Sequence, residues 1–193
     1  AMLDAEPTPA LTLSPQRDWF VLMARRGLPP IEAVAAPHLK LAGSRINPAT
    51  NGPAGPGGYE ALTLRQVRGG AEVAVQAPAG GRLSGPDWAP DGRRFVFTQT
   101  TDTGIALYLA DTTGAVRQLL GPVLNGAHGS PCQWLAGSSE LLCATIPADR
   151  GAPPPPPAAP LGPATQESAG RTAPERTYQD LLSTPHDEAL FGY

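Results

Sequence analysis

The sequence predicts an all-β fold of short antiparallel strands, and three observations support this. An aromatic anchor, a turn and an alternating apolar run follow one another at 87–97, with weaker copies at 13–22 and 133–143. Glycine and proline number 22 and 24, so the chain is rich in turns. Trp88 and Trp134 lie 46 residues apart, close to the ~40–45 residues of one propeller blade. We therefore expect a partial β-propeller, with about two four-stranded blades plus part of another.

The first predicted blade opens with a hairpin over 11–25, whose turn lies at 15–18. Both alternating sets of residues in its second strand, 19–24, are apolar, which is typical of a strand covered on both faces. Two further strands, at 60–65 and 71–75, alternate apolar and polar residues on either side of a Gly-Gly turn. These four strands complete one blade.

The second predicted blade is the clearest. Its strands are expected at 87–88, 94–100, 104–110 and 115–119, joined by short turns. Four such strands make one blade. In the third strand, one face carries Ile105, Leu107 and Leu109. Another blade begins at Pro131.

Two interruptions separate these strands. From 27 to 58 the alternation is lost, so we expect a long excursion with one short helix near 31–36. A Pro-rich insertion is expected at 147–175, because a proline run cannot pair inside a sheet. A short helix at 175–182 and the start of a new strand at 187–193 are predicted to follow.

The two cysteines, Cys132 and Cys143, flank a predicted hairpin that turns near Gly137. A symmetric hairpin sets them opposite each other, with Cα atoms ~4.5 Å apart, near the lower end of disulfide geometry. Two buried free thiols acting as small apolar residues are the preferred interpretation. A disulfide is the alternative.

Composition and motifs argue against several function classes. The formal net charge of −3 offers no basic surface for nucleic acid. No apolar run approaches the ~20 residues of a membrane span. The chain carries no Gly-x-Ser-x-Gly nucleophile elbow, phosphate loop, dinucleotide fingerprint or zinc motif. We therefore predict no catalytic residue, no metal ligand and no cofactor within it.

Several segments together resemble a known family. They are 13–18, 25–31, 40–46, 88–92, and 176–182 running on into 187–193. In this order they are similar to the amino-terminal propeller of glutamyl endopeptidases, in the prolyl oligopeptidase family of serine peptidases. The Leu-Pro-Pro, Leu-Ala-Gly-x-Arg-Ile and Tyr-Gln-Asp-Leu-Leu segments are the more specific ones, because many propellers carry Trp-x-Pro-Asp-Gly.

The resemblance implies that residues 1–193 are the amino-terminal portion of a propeller domain that caps a carboxy-terminal α/β-hydrolase domain. That hydrolase domain, absent from this chain, would cleave peptides after acidic residues. The chain itself would be non-catalytic, gating and orienting peptide substrates for its partner domain on the same polypeptide. The alternative is a propeller that binds a protein partner without hydrolysis.

Three arginines are candidates for attracting an acidic peptide, because guanidinium groups bind carboxylates bidentately. They are Arg25, Arg26 and Arg45. The alternative is that they satisfy backbone carbonyls or acidic residues between blades. The resemblance allows an exported bacterial enzyme or an organelle enzyme, so export or the periplasm is favoured over the cytoplasm.

Overall fold

The computed structural model describes residues 7–193 except 26, 71, 138, 160–161, 163–169 and 171–179. These residues form four antiparallel sheets and two short helices, so the all-β prediction is confirmed. The strands are β1 (Ala10–Leu13), β2 (Trp19–Ala24), β3 (Leu39–Leu41), β4 (Ser44–Asn47), β5 (Gly52–Pro53), β6 (Ala61–Gln66), β7 (Val73–Ala74), β8 (Arg82–Leu83), β9 (Asp87–Trp88), β10 (Arg94–Thr101), β11 (Gly104–Asp111), β12 (Val116–Leu120), β13 (Cys132–Trp134) and β14 (Leu141–Cys143); the helices are α1 (Ile31–Val34) and α2 (Pro185–Gly192).

The first blade is a four-stranded meander in the order β1-β2-β6-β7. Strand β2 runs through its middle, pairing Leu11 with Leu22 on one side and Val21 with Leu64 on the other. Because the side chains alternate, Val21 and Leu64 share the face that is fully buried.

The second blade has the order β8-β10-β11-β12, with β9 also paired to β10. Its innermost strand is interrupted between β8 and β9 at Ser84. The Ser84 N–H donates to the Thr98 carbonyl, and the Thr98 N–H donates to Ser84 Oγ, each over 2.8 Å. The serine side chain thus replaces one backbone acceptor and keeps the interrupted strand attached to β10.

The two blades pack face to face around Trp88. Its indole is 9% exposed and lies 4.9 Å from the Phe95 ring, measured between centroids. The same cluster contains Val21 and Leu64 from the first blade and Tyr108 from the second. Trp88 is therefore buried between the two blades.

The opposite face of the second blade carries Val96, Ile105 and Leu107, all nearly inaccessible. They pack with Cys132 and Trp134 of the two-stranded sheet β13–β14. The second blade is thus covered by the first blade on one side and by the start of a third on the other. This stacking confirms a partial propeller with two four-stranded blades and part of another.

The excursion after β2 contains helix α1 as predicted, and also a three-stranded sheet, β3-β4-β5, that the sequence pattern does not predict. The hairpin β3–β4 turns through Ala42 and Gly43, whose φ angles are 49° and 77°. Leu41 and Ile46 are buried within this inserted sheet. It is too short for its alternation to stand out among the surrounding prolines and glycines.

The prediction of a strand at 187–193 is wrong, because these residues belong to helix α2. Thr184 caps the helix by accepting from the Asp187 N–H over 3.1 Å, while the Asp187 carboxylate accepts from the Thr184 N–H over 2.9 Å. Pro185 occupies the first turn, where its missing N–H costs nothing. Of the helix predicted at 175–182, residues 175–179 lie outside the described residues, and 180–182 are not helical.

The hairpin prediction for the two cysteines is confirmed, because Cys132 pairs directly with Cys143. Their Cα atoms are 4.1 Å apart and their sulfurs are bonded. The preference for free thiols was therefore wrong. The pair occupies a position without mutual backbone hydrogen bonds, where cross-strand side chains approach most closely.

Candidate functional site

Tyr59 joins the end of the excursion to the innermost strand of the second blade. Its N–H donates to the Leu83 carbonyl, and its own carbonyl accepts from the Leu83 N–H, each over 2.9 Å. Arg25, at the start of the excursion, places its guanidinium carbon 5.6 Å from the centre of the Tyr59 ring. Cations are attracted to an aromatic face at this range. The bridge therefore holds both ends of the excursion beside β8.

Arg82 lies on β8 next to this bridge and faces the same loop. Its Nη1 donates to the carbonyl of Gly57 over 3.2 Å and also to the carbonyl of Gly55. Gly58 has a φ of 128°, and a Cβ there would lie 3.0 Å from the Arg82 Cβ. The glycine-rich segment before Tyr59 thus wraps closely around Arg82.

A cavity of about 460 Å³ lies between these groups, and we call it the arginine pocket. Its wall includes Arg25, Tyr59, Glu60 and Arg82, together with Pro29, Pro30 and Ala33 of the α1 segment. Two guanidinium groups beside an aromatic ring suit a carboxylate that also carries an apolar stem.

A second cavity of about 430 Å³, the interblade pocket, lies over the face of the second blade that looks toward β13. Its floor is apolar and includes Val96, Ile105 and Leu107. Asp87 lies on its wall, and burial raises the pKa of this carboxyl above its ordinary value of 3.8. The Asp87 carbonyl accepts a hydrogen bond from Trp134 Nε1 over 3.0 Å. This bond connects the sheet β13–β14 to the second blade.

Of the three arginines predicted from the sequence, the two that the structure describes, Arg25 and Arg45, lie in different cavities. Arg25 lines the arginine pocket, whereas Arg45 lines a separate cavity of about 500 Å³ with His128 and Phe191. Arg45 Nε lies 3.9 Å from the Asp180 carboxylate, so a structural partner is present. Arg26 lies outside the described residues.

The end of the described chain contacts the residues that precede the proline run at 153–157. Arg150 Nη1 donates to Asn51 Oδ1 over 3.1 Å, and its guanidinium carbon lies 4.1 Å from the centre of the Tyr193 ring. The Tyr193 hydroxyl donates to the Gly151 carbonyl over 3.0 Å. These contacts join three distant parts of the sequence.

The histidines occupy separate surroundings. His38 Nδ1 lies 3.3 Å from the Ala36 carbonyl, His128 meets Phe191 edge-on with centroids 5.0 Å apart, and His186 lies in α2. Within the described ranges, no group of three or more metal-binding side chains is present. No helix in the described part of the chain is long and apolar enough to span a membrane.

Three pocket residues, Tyr59, Arg82 and Asp87, are not predicted by any pattern in the sequence. Arg82 lies in β8, whose two residues are too few to show an alternating pattern. Tyr59 and Leu83 form a backbone bridge although they are 24 residues apart. No local sequence pattern predicts a bridge between residues so far apart.

No protein-family model matches the chain. Two curated proteins do, each named "Probable glutamyl endopeptidase, chloroplastic". The chain is 34% identical to the protein from Arabidopsis thaliana over 206 residues, covering all of this chain and 21% of that protein. It is 34% identical to the protein from Oryza sativa subsp. japonica over 208 residues, again covering all of this chain and 22% of the relative. The similarity to glutamyl endopeptidases predicted from the short segments is thus confirmed, and the chain spans about a fifth of the length of these relatives.

Proposed function

We propose that this chain, similar over its full length to glutamyl endopeptidases, is the first part of a propeller that gates and orients peptide substrates for a serine hydrolase domain on the same polypeptide. The observation that carries the proposal is the stack of two complete blades and part of a third within a chain that matches a fifth of each relative. In this proposal the chain forms part of a propeller of the prolyl oligopeptidase family, and the hydrolase domain would cleave the peptide bond.

Gating by size needs blades that do not open easily. Adjacent blades here share two apolar clusters, one centred on Trp88 and one on Leu107. Polar ties add to them at both junctions, from Gln16 to the Pro90 carbonyl and from Trp134 to the Asp87 carbonyl. A ring built from such junctions would admit flexible peptides and exclude folded domains.

The arginine pocket is the proposed point of attraction for acidic peptides. Arg25 is exposed and rests against Tyr59, and Arg82 is half-buried with carbonyl partners for one nitrogen. A peptide carboxylate would meet donors that remain available on both groups. At Arg45 it would compete with Asp180, so Arg45 is the weaker candidate. Arg26 remains a candidate on its sequence position alone.

A compartment outside the cytosol is proposed for the protein. Both relatives are named chloroplastic, and the Cys132–Cys143 bond is of a kind that persists where thiols are not kept reduced. An organelle or an exported location fits both observations.

The experiment compares this chain with the polypeptide extended along its natural reading frame. The substrate is a glutamate-containing reporter sequence, presented once as a flexible peptide and once inside the loop of a stable folded domain. The extended form should cleave only the flexible version, and the 193-residue chain neither. A matched control replaces the serine of any Gly-x-Ser-x-Gly that the extension carries. Equal cleavage of both substrates would overturn gating, and absence of cleavage by the extended form would overturn the peptidase assignment.

The second candidate is a protein-binding module without hydrolysis. Two surface features favour it: the proline run at 153–157, which is mostly exposed, and the α1 segment, where Leu28, Ile31 and Val34 are 79%, 77% and 60% exposed. Exposed polyproline segments are ligands for aromatic grooves of recognition domains. An extended polypeptide that lacks a nucleophile elbow yet retains a stable partner would support this alternative.

A further inference from the structure

The glycine-rich segment 55–58 is a wall that the arginine pocket and the interblade pocket share. Both cavities are lined by Gly57 and Gly58 of this segment and by Arg82, which lies on β8. Residues 56–58 are exposed at the surface of the protein. The contacts that hold this segment in place therefore decide whether the two cavities are separate.

Two backbone contacts fix the ends of the segment. At one end the Ala54 N–H donates to a carbonyl of β4 over 2.9 Å, and at the other end Tyr59 forms its bridge to β8. Between these anchors, the hydrogen bonds that the described part of the chain makes to the segment come from one side chain. They are the bonds from Arg82 Nη1 to the carbonyls of Gly55 and Gly57.

Arg82 is a half-buried cation whose hydrogen-bond partners are neutral. Among the described residues no carboxylate pairs with it, not even that of Glu60 on the same pocket wall. A guanidinium has five N–H donors, so several remain for a ligand. A hydrogen bond between two charged groups is roughly twice as strong as one between neutral groups. A carboxylate that enters the arginine pocket therefore competes well with the two glycine carbonyls.

We propose that Arg82 exchanges partners when an acidic side chain of a peptide enters the arginine pocket. The carboxylate accepts hydrogen bonds from the guanidinium in place of the carbonyls of Gly55 and Gly57, and segment 55–58 is released from Arg82. Because this segment is the shared wall, its release joins the arginine pocket to the interblade pocket. The inference rests on the proposed function, in which the arginine pocket receives acidic peptides.

The exchange makes the movement of the wall specific for a negative charge. A ligand shifts a conformational equilibrium only by the difference between its affinities for the two states. A glutamine side chain has the same length as glutamate but no charge, so it gains little from displacing a carbonyl on Arg82. A glutamate side chain gains a charge-assisted hydrogen bond in the released state alone.

The test is made on the 193-residue chain, because every residue of the exchange lies within it. The protein is labelled with carbon-13 at the glycine carbonyls and the isoleucine methyl groups. NMR then follows a titration with a short peptide that has blocked ends and one central glutamate, and the same peptide with glutamine is the matched control. The carbonyl signals of Gly55 and Gly57 report the hydrogen bonds to Arg82. The methyl signals of Ile105 report the interblade pocket, whose floor includes this residue.

We expect the glutamate peptide to shift the carbonyl signals of Gly55 and Gly57 and the methyl signals of Ile105. The glutamine peptide should leave all of them unchanged. In the protein without peptide, Arg82→Gln should shift the same two carbonyl signals in the same direction, because it removes the same hydrogen bonds.

Arg82→Gln should also weaken binding of the glutamate peptide about tenfold, the size of one hydrogen bond to a charged group. Its affinity for the glutamine peptide should not change. Arg117→Gln is the matched control variant, because Arg117 is an exposed arginine on β12, and it should bind both peptides as the unmodified protein does. Arg82→Lys, which keeps the charge but not the planar fork, provides a second variant should Arg82→Gln not fold.

Three results would overturn the inference. The first is a glutamate peptide that leaves the carbonyl signals of Gly55 and Gly57 in place. The second is a shift of these carbonyls without a shift of the Ile105 methyl signals. The third is equal affinity of the glutamate peptide for the unmodified protein and for the Arg82 variants.

Cleavage by the extended polypeptide is scored separately. If the extended form cleaves only the flexible substrate and the carbonyl signals do not move, this inference alone is overturned. If the signals move and the extended form cleaves both substrates or neither, the proposed function alone is overturned.

Discussion

The side-chain amide of Gln16 donates a hydrogen bond to the carbonyl of Pro90 over 3.0 Å. It joins the β1–β2 turn of the first blade to the Pro-Asp-Gly turn that precedes β10 in the second. Gly92, in the same turn, has a φ of 64°, and the Gln16 amide lies where a Cβ would be placed. Gly92 thus allows the left-handed backbone of its own turn and also leaves room for Gln16 at the junction between the blades.

We expect Gln16→Ala to lower the free energy of unfolding by about 0.5–1 kcal/mol, because the hydrogen bond is exposed. Gly92→Ala should cost about 1–2 kcal/mol from its left-handed backbone, plus a clash with Gln16. The clash disappears in the double variant, so the two changes should cost less together than their sum. Urea denaturation of all four proteins measures this coupling, and strict additivity would contradict the proposed contact.

Trp88→Ala should lower the free energy of unfolding by about 3–5 kcal/mol, because it empties the contact between the two blades. Trp134→Phe is the control. It keeps one aromatic ring but removes the hydrogen bond to the Asp87 carbonyl and part of the apolar contact of the indole, and the lost hydrogen bond alone should cost about 0.5–1.5 kcal/mol. Urea denaturation followed by circular dichroism measures both. A loss below about 1 kcal/mol for Trp88→Ala would mean that the anchor does not hold the blades together.

Replacing both cysteines by alanine should lower the free energy of unfolding by about 2–4 kcal/mol, because the bond constrains the unfolded chain. Reduction of the unmodified protein should have a similar effect, and it should not change the double variant. A thiol assay in denaturant should find no free thiol before reduction and two afterwards. Two free thiols before reduction would show that the bond is absent.

Helix α2 should lose its amino-terminal cap in acid. Hydrogen bonds from the Ser183 N–H and from Thr184 hold the pKa of Asp187 below its ordinary value of 3.8. A carboxyl with a lowered folded-state pKa contributes stability above the unfolded-state value and loses it as the pH falls through the folded-state value. Carbon-13 NMR of the Asp187 carboxyl should therefore give a midpoint below 3.8.

The matched variants for that cap are Asp187→Asn and Glu188→Gln. The first should remove the acid-dependent change in the α2 amide signals, and the second should retain it, because Glu188 is not part of the capping box. An acid transition of α2 that survives Asp187→Asn would assign the effect to another group.

In the extended polypeptide, Arg25→Gln should raise KM for a glutamate-containing peptide about two- to fivefold, the size of one exposed ion pair. The KM for the corresponding glutamine peptide should stay the same, and kcat should change little. Arg68→Gln, which removes an exposed arginine in the β6–β7 turn, is the control. Equal changes in KM for the two substitutions would mean that Arg25 acts only through the net charge of the protein and not by contacting the peptide.

The parts of the fold that the sequence predicts are those in which apolar alternation and turn chemistry agree. The second blade is the best case, since Phe95, Phe97 and their neighbours alternate over eight residues between well-marked turns. The cysteine hairpin follows from symmetry about its turn. The disulfide does not, because the same positions suit two small buried thiols equally well.

The errors lie where local signals conflict. Residues 187–193 carry apolar and aromatic side chains typical of a strand, but the Thr184 cap and Pro185 begin a helix just before them. The arginine pocket could not be derived from sequence because its wall depends on a bridge from Tyr59 to Leu83. Only chain topology brings those residues together.

The contact of Tyr193 with Gly151 has a consequence for how the protein tolerates change in length. These two residues are 42 positions apart in the sequence. The chain that leaves the sheet β13–β14 therefore returns to contact residues just beyond that sheet. Adding residues within such a detour costs only about 0.6 kcal/mol per doubling of its length. We therefore expect prolines to be added or removed there at little cost to the packing of the blades, as long as the contact between Arg150 and Tyr193 is kept.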